Sequence, residues 1–106
     1  MFARSVSFQL KPGRAAEFTK AFETDIIPVL RKQKGFQDEI TLVTDGGKEA
    51  IGISLWDLKE NADTYARASY SGVLKAMDHM IDGTPQVHTY DVSNSTFHQI
   101  AARVTA

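Results

Sequence analysis

The residues able to do chemistry in this chain are few, and Arg4 is the one most at odds with its neighbours. Phe2, Val6, Phe8 and Leu10 share one parity of an alternating N-terminal stretch, Ala3, Ser5, Ser7 and Gln9 take the other, and Arg4 falls on the apolar parity. A cation buried there needs a partner or a ligand anion to offset its desolvation; at the strand's end it would instead snorkel to water. Tyr65 lies on the apolar stripe of a helical segment, where its hydroxyl is either a proton-transfer and hydrogen-bonding group or that of a core tyrosine. His79 falls off the Val73-Met77-Met80 stripe of the next segment, which leaves it an acid–base candidate or a solvated imidazole. His88 and His98 stand too far apart on one extended stretch to chelate, so no metal site is expected. The chain has no cysteine, which excludes a thiolate nucleophile, a disulfide framework and a cysteine-based zinc site.

The elements that must position these groups centre on residues 51–65. Ile51, Ile53 and Leu55 alternate with Gly52 and Ser54, predicting a strand that ends at Trp56, the only tryptophan. Asp57 followed by Glu60 reads as a capping box opening a helix, which fixes Trp56 at the corner. Upstream, Ala15, Phe18, Phe22, Ile26, Val29 and Leu30 form one face of a helix predicted over 14–34. Pro28 inside that pattern removes an intrahelical bond and predicts a kink near Thr24 or Asp25, and Gly35 is placed to end the helix in the left-handed region. A strand is predicted over 36–44, with Phe36, Ile40 and Leu42 alternating against Gln37, Glu39 and Thr41. Asp45-Gly46-Gly47 then supplies a hairpin turn back to 51–56.

After Trp56 a helix carries Leu58, Ala62, Tyr65 and Ala66 on one side. Ser69-Tyr70-Ser71-Gly72 interrupts it, and Asp82-Gly83-Thr84-Pro85 is expected to end the segment that follows. From Gln86 the chain is extended through Ile100, long enough that it should bulge at Ser93-Asn94-Ser95 or leave its own sheet for a second subunit.

The 106 residues suffice for one domain, 1–106. A net charge of -1 argues against a nucleic-acid surface, and the basic cluster Arg31-Lys32-Gln33-Lys34 fits the last turn of a helix better than a phosphate site. No apolar run approaches the ~18 residues of a membrane span, and the alternating N-terminus lacks a secretory signal, so the expectation is a cytoplasmic protein with no membrane partner. The order β-α-β-β-α-β predicts an α+β, ferredoxin-like plan, a four-stranded antiparallel sheet with both helices on one face. Apolar residues must still project from the other face, and a homodimer with sheet-to-sheet packing would cover them.

Four stretches carry a resemblance to a known family: Lys11-Pro12-Gly13 before the first helix, Gly35-Phe36 at the second strand, the Ser54-Leu55-Trp56 corner, and Ser71-Gly72-Val73-Leu74-Lys75. Over nearly its whole length the chain resembles the dimeric α+β barrel proteins of the antibiotic biosynthesis monooxygenase type. The resemblance implies a pocket in each subunit, between helices and sheet, into which Trp56 points with Gly52 and Ser54 and which Phe22 borders. It also implies a cofactor-independent monooxygenase acting on a small aromatic or enolic metabolite, with Arg4 stabilising the substrate anion and Tyr65 or His79 handling protons. The alternative is a non-catalytic homodimer that binds a small hydrophobic ligand or serves as a structural module, which follows if Phe18, Phe22 and Tyr65 fill the space beside Trp56. The haem-degrading branch of the fold asks for an asparagine where Val6 stands and for a histidine from which His79 is displaced. The quinone-forming branch matches at Trp56 but has an asparagine near it for which Asn61, on the helix, is no clear counterpart.

Overall fold

In the computed structural model, which describes residues 1–97, the elements run β1 (Phe2–Leu10), α1 (Ala15–Ala21), a π-helical turn (Phe22–Ile26), α2 (Ile27–Arg31), β2 (Phe36–Val43), β3 (Glu49–Trp56), α3 (Lys59–Ala68), α4 (Tyr70–Met77), a 3-10 turn (Asp78–Met80) and β4 (Ile81–Asp91). The four strands form one antiparallel sheet in the order β2-β3-β1-β4, the expected ferredoxin-like plan. Among the described residues no helix is long and apolar enough to cross a membrane.

The register sorts the side chains onto two faces. Phe2 lies opposite Trp56, Arg4 opposite Ser54, Val6 opposite Gly52 and Phe8 opposite Ala50, so this parity faces the helices. Glu39 and Thr41 pair with Ser54 and Gly52 from the other side and join it. Ile40, Leu42, Ile51, Ile53 and Leu55 therefore project from the opposite face, as the alternation requires. Beneath the helices Phe18, Ile26, Trp56, Met77 and Met80 are almost wholly buried and join Phe8, Phe22, Leu30 and Tyr65 in one core cluster. A side chain of this kind contributes about 1.5–3 kcal/mol when fully removed from water.

The break set by Pro28 takes the form of a widened turn. The Ile27 N–H reaches the Phe22 carbonyl, five residues back, across a segment centred on Thr24. Pro28 offers no N–H to the Thr24 carbonyl four residues back and its ring crowds that carbonyl, so the turn opens to relieve the clash. The helix also stops at Arg31, short of 34, so Gly35 does not end it; Gly35 instead stands just before β2 with a φ of +80°. A Cβ there would collide with the Asp57 and Asn61 side chains, so only glycine fits against them.

Three further sequence expectations are corrected. Asp57 does not cap the following helix: the N-cap is Leu58, no side chain caps it, and the Asp57 carboxylate accepts from the Leu58 N–H at 2.6 Å and from Asn61 Nδ2 at 2.8 Å. Asn61 thereby acts in the corner, beside Gly35. Phe36 faces the helices instead of sharing a face with Ile40, because a bulge between Phe36 and Asp38 shifts the register and flips the parity. Asp82-Gly83-Thr84-Pro85 does not end a helix; β4 already begins at Ile81, and these residues absorb a register shift opposite Ser7 and Gln9. The expected break near residues 69–72 narrows to Ser69, with Tyr70 starting α4. The extended tail is seen as strand only to Asp91; His98 and the stretch to Ile100 lie outside the described residues.

Candidate functional site

Across the helix-facing side of the sheet, Glu39 of β2, Ser54 of β3 and Arg4 of β1 form one transverse row. The next row contains Gly52, which has no side chain, and there a cavity opens between sheet and helices. Arg4, Glu39, Ser54, Tyr65 and Tyr70 supply its polar wall; Phe22, Ile26, Leu30, Val73 and Met77 supply much of the rest. Its volume is about 30 Å³. That is room for about two water molecules at ~10–15 Å³ each.

Arg4 is 6% exposed and forms no ion pair with a carboxylate among the described residues. Its charge is held instead by aromatic faces, with the guanidinium carbon 4.0 Å from the Tyr70 ring centroid and 5.6 Å from that of Tyr65. Contacts of this kind return only about 0.5–2 kcal/mol, well short of the several kcal/mol that burying an ion costs.

Tyr65 and Tyr70 descend from α3 and α4. Burial pushes the Tyr65 hydroxyl up to about 12, against the opposing pull of the Arg4 charge, so at neutral pH it is a phenol that donates and does not act as a base. Burial likewise raises Tyr70, against the opposing pull of the Arg4 guanidinium beside it. Glu39 is the basic group of the site. Burial raises its carboxyl from 4.5 to about 7, opposed by the Thr41 hydroxyl, which donates to Oε2 at 2.7 Å and Oε1 at 3.0 Å. Near neutral pH it exists in both protonation states, the condition under which a carboxylate accepts a proton and returns it.

Of the residues singled out in the sequence, the cavity brings together Arg4, Tyr65, Gly52, Ser54 and Phe22. Trp56 stands behind it, wholly buried, stacked on Tyr65 at 5.2 Å and edge-on to Phe36 at 5.7 Å. Its indole N–H donates to Ser54 Oγ at 2.9 Å, and Ser54 in turn donates to the Arg4 carbonyl at 3.4 Å, which leaves that hydroxyl engaged within the protein. His79 is remote from the cavity, exposed, with Nε2 2.9 Å from Glu17 Oε2. Among the described residues no three His, Asp or Glu side chains are grouped to hold a metal ion.

Sequence reasoning missed Glu39 and Tyr70. Glu39 occupies the polar parity of β2, which reads as a solvent face, and Tyr70 sits in the helix break. The hairpin held the missing signal: once Asp45-Gly46-Gly47 sets the register, Glu39 must lie beside Ser54 on the side that Trp56 marks as covered.

No family model and no curated protein sequence matches the chain. Solved structures do match. A Bordetella bronchiseptica protein described as a candidate antibiotic biosynthesis monooxygenase superposes with a TM-score of 0.73 at 18% identity, over 86% of this chain and 95% of that one. A Streptomyces coelicolor monooxygenase determined in complex with nanaomycin D gives 0.75 at 14% identity, over 89% and 88% of the two chains. A Nitrosomonas europaea protein of unknown function gives 0.72 at 14% identity, over 99% and 94%. At these identities the likeness establishes the fold and leaves the chemistry to the residues of the site.

Proposed function

We propose that this chain, which carries the fold of the antibiotic biosynthesis monooxygenase structures, binds a small phenol or enol as its anion and presents it to dioxygen without a cofactor. The observation that carries this reading is the buried, carboxylate-free Arg4 guanidinium lining a helix-covered cavity that also contains a carboxyl titrating near neutrality. Glu39 takes the hydroxyl proton, and Arg4 holds the resulting phenolate in surroundings where a positive charge favours it strongly. The electron-rich ring then reduces O2. One oxygen atom becomes a new ring carbonyl, the other leaves as water with the phenolic and ring hydrogens, and the phenol becomes a quinone. Tyr65 and Tyr70, both neutral, donate hydrogen bonds to the developing oxyanion.

The same reading makes the protein a homodimer. Ile40 and Leu42 are 49% and 48% exposed on the bare face of the sheet, with Ile51 beside them and Tyr90 on the same face at the opposite edge, and a second copy packed sheet to sheet removes this apolar surface from water. A second reading, a dimer that binds a small ligand without turning it over, is favoured by the small volume of the cavity.

Oxygen consumption decides between the two. The wild type is expected to take up oxygen above the buffer rate with at least one of a panel of dihydroxy-aromatics, and Arg4→Met to abolish that uptake. No uptake with any member, or uptake unchanged in Arg4→Met, overturns the enzymatic reading.

A further inference from the structure

A second recess lies against the first. A groove of about 280 Å³ opens to solvent between the π-helical turn and β2, lined by Thr19, Phe22, Glu23, Ile27, Glu39, Thr41 and Val43. Phe22 and Glu39 line this groove and the buried cavity alike, so these two side chains are the wall between them. Gly52 lies beneath this wall: a Cβ at that position would be in ordinary contact with both groups, 3.4 Å from Phe22 Cζ and 3.4 Å from Glu39 Oε2. Phe22 is also the first residue of the widened turn, in a helix whose hydrogen bonding is already displaced by Pro28.

The compartments differ in charge. The inner one presents the Arg4 guanidinium, nine-tenths buried and without a carboxylate partner among the described residues. The outer one presents Glu23 and Glu39, the hydroxyls of Thr19 and Thr41, and no cation.

We infer that groove and cavity are the two halves of one elongated site: Phe22 yields to admit a phenolic ring to Arg4, and the outer groove holds the ligand's other end, which is hydroxylated or cationic and not anionic. The inference rests on the proposed phenol-binding role of the cavity and adds the class of substituent that the site accepts. It also accounts for the small volume of the closed cavity, because the ring displaces a wall that the groove leaves free to move.

Calorimetric titration of the full chain with four probes tests it: phenol, tyramine with an ammonium tail, tyrosol with a hydroxyl tail, and the matching hydroxyphenylpropionate. Tyramine and tyrosol are expected to bind about tenfold more tightly than phenol, and the propionate about tenfold more weakly than tyramine, the size of one unfavourable charge contact. Thr19→Trp and Val43→Trp, substitutions at exposed positions that fill the groove, should each remove the advantage of the tailed probes over phenol, and phenol itself should bind no more tightly, because a filled groove also hinders Phe22 from yielding. If phenol binds the wild type but tail charge has no effect and both tryptophan variants bind the tailed probes as before, the two-compartment inference is wrong and the phenol-binding role of the cavity stands. Absence of binding by all four probes overturns both.

Discussion

Each face of the sheet carries some residues of the kind the other face ordinarily holds. A sheet with helices on one side ordinarily puts apolar side chains beneath the helices and polar ones toward water. Here Arg4, Glu39 and Ser54 lie in one row beneath the helices, while Ile40, Leu42 and Ile51 stand exposed on the other side. Neither departure stabilises an isolated chain, since one buries charge and the other leaves apolar area in water. On the proposed function each is explained by something that comes to it: a ligand anion inside, a second copy of the chain outside. The difference teaches that local cost marks function on both faces, with opposite chemistry.

The contrast breaks most completely on the outer face. Ile51→Asp places a charge at the centre of the bare sheet and is expected to lower dimer affinity by more than about 100-fold, giving monomer at micromolar protein in sedimentation while phenol binding survives. A variant that stays dimeric would show that the partner docks elsewhere. Next is Arg4→Met, expected to weaken phenol binding about 100-fold while urea unfolding shows stability unchanged within about 1 kcal/mol or raised, because an unpaired buried cation is replaced by an apolar side chain of similar length. A large loss of stability would make Arg4 a structural cation instead.

Trp56→Phe sharpens the division between cavity and core. The loss of ring area and of the N–H bond to Ser54 should cost about 2 kcal/mol in the same unfolding experiment, with phenol affinity changed by less than about threefold, because Trp56 lies behind the cavity wall. A collapse of binding with no loss of stability would reverse that assignment.

The smallest effect is that of Glu39 on stability with pH. Its folded-state carboxyl titrates near 7, above its ordinary value of 4.5, so the folded protein holds this proton more firmly than the unfolded chain does. The resulting stability is complete below about pH 4.5 and is lost as the pH rises through 7. Because the side chain is only half-buried, solvent screening limits the loss to about 1 kcal/mol between acidic and mildly alkaline buffer, and Glu39→Gln should remove that share of the pH dependence. Equal slopes in the two proteins would show that Glu39 is solvated.

Much of this was legible because strand parity and turn chemistry are local. The alternation of β1 exposed Arg4 as a misfit, the Asp45-Gly46-Gly47 turn set the β2–β3 hairpin, and Pro28 located the break in the first helix to within the turn that forms it. The errors arose where a local signal had two readings. Asp57 and Glu60 have the spacing of a capping box, yet the chain needs Asp57 to meet Gly35 and Asn61, which moves the helix start by one residue. Gly83 and Pro85 read equally as the end of a helix or as a bulge, and pairing with β1 chose the bulge.

By itself the sequence determined the β-α-β-β-α-β order, the apolar bare face and the presence of one misplaced cation, since each follows from periodicity within a single element. Tertiary structure alone decided what surrounds that cation. Tyr70, Glu39 and Phe22 lie on separate elements far along the chain from Arg4, and only the register of the sheet and the docking of the helices bring them to one cavity. Trp56, the most conspicuous residue of the sequence, proves to be the wall behind it, because the strand that carries it aims the indole N–H at Ser54 and the ring at Tyr65.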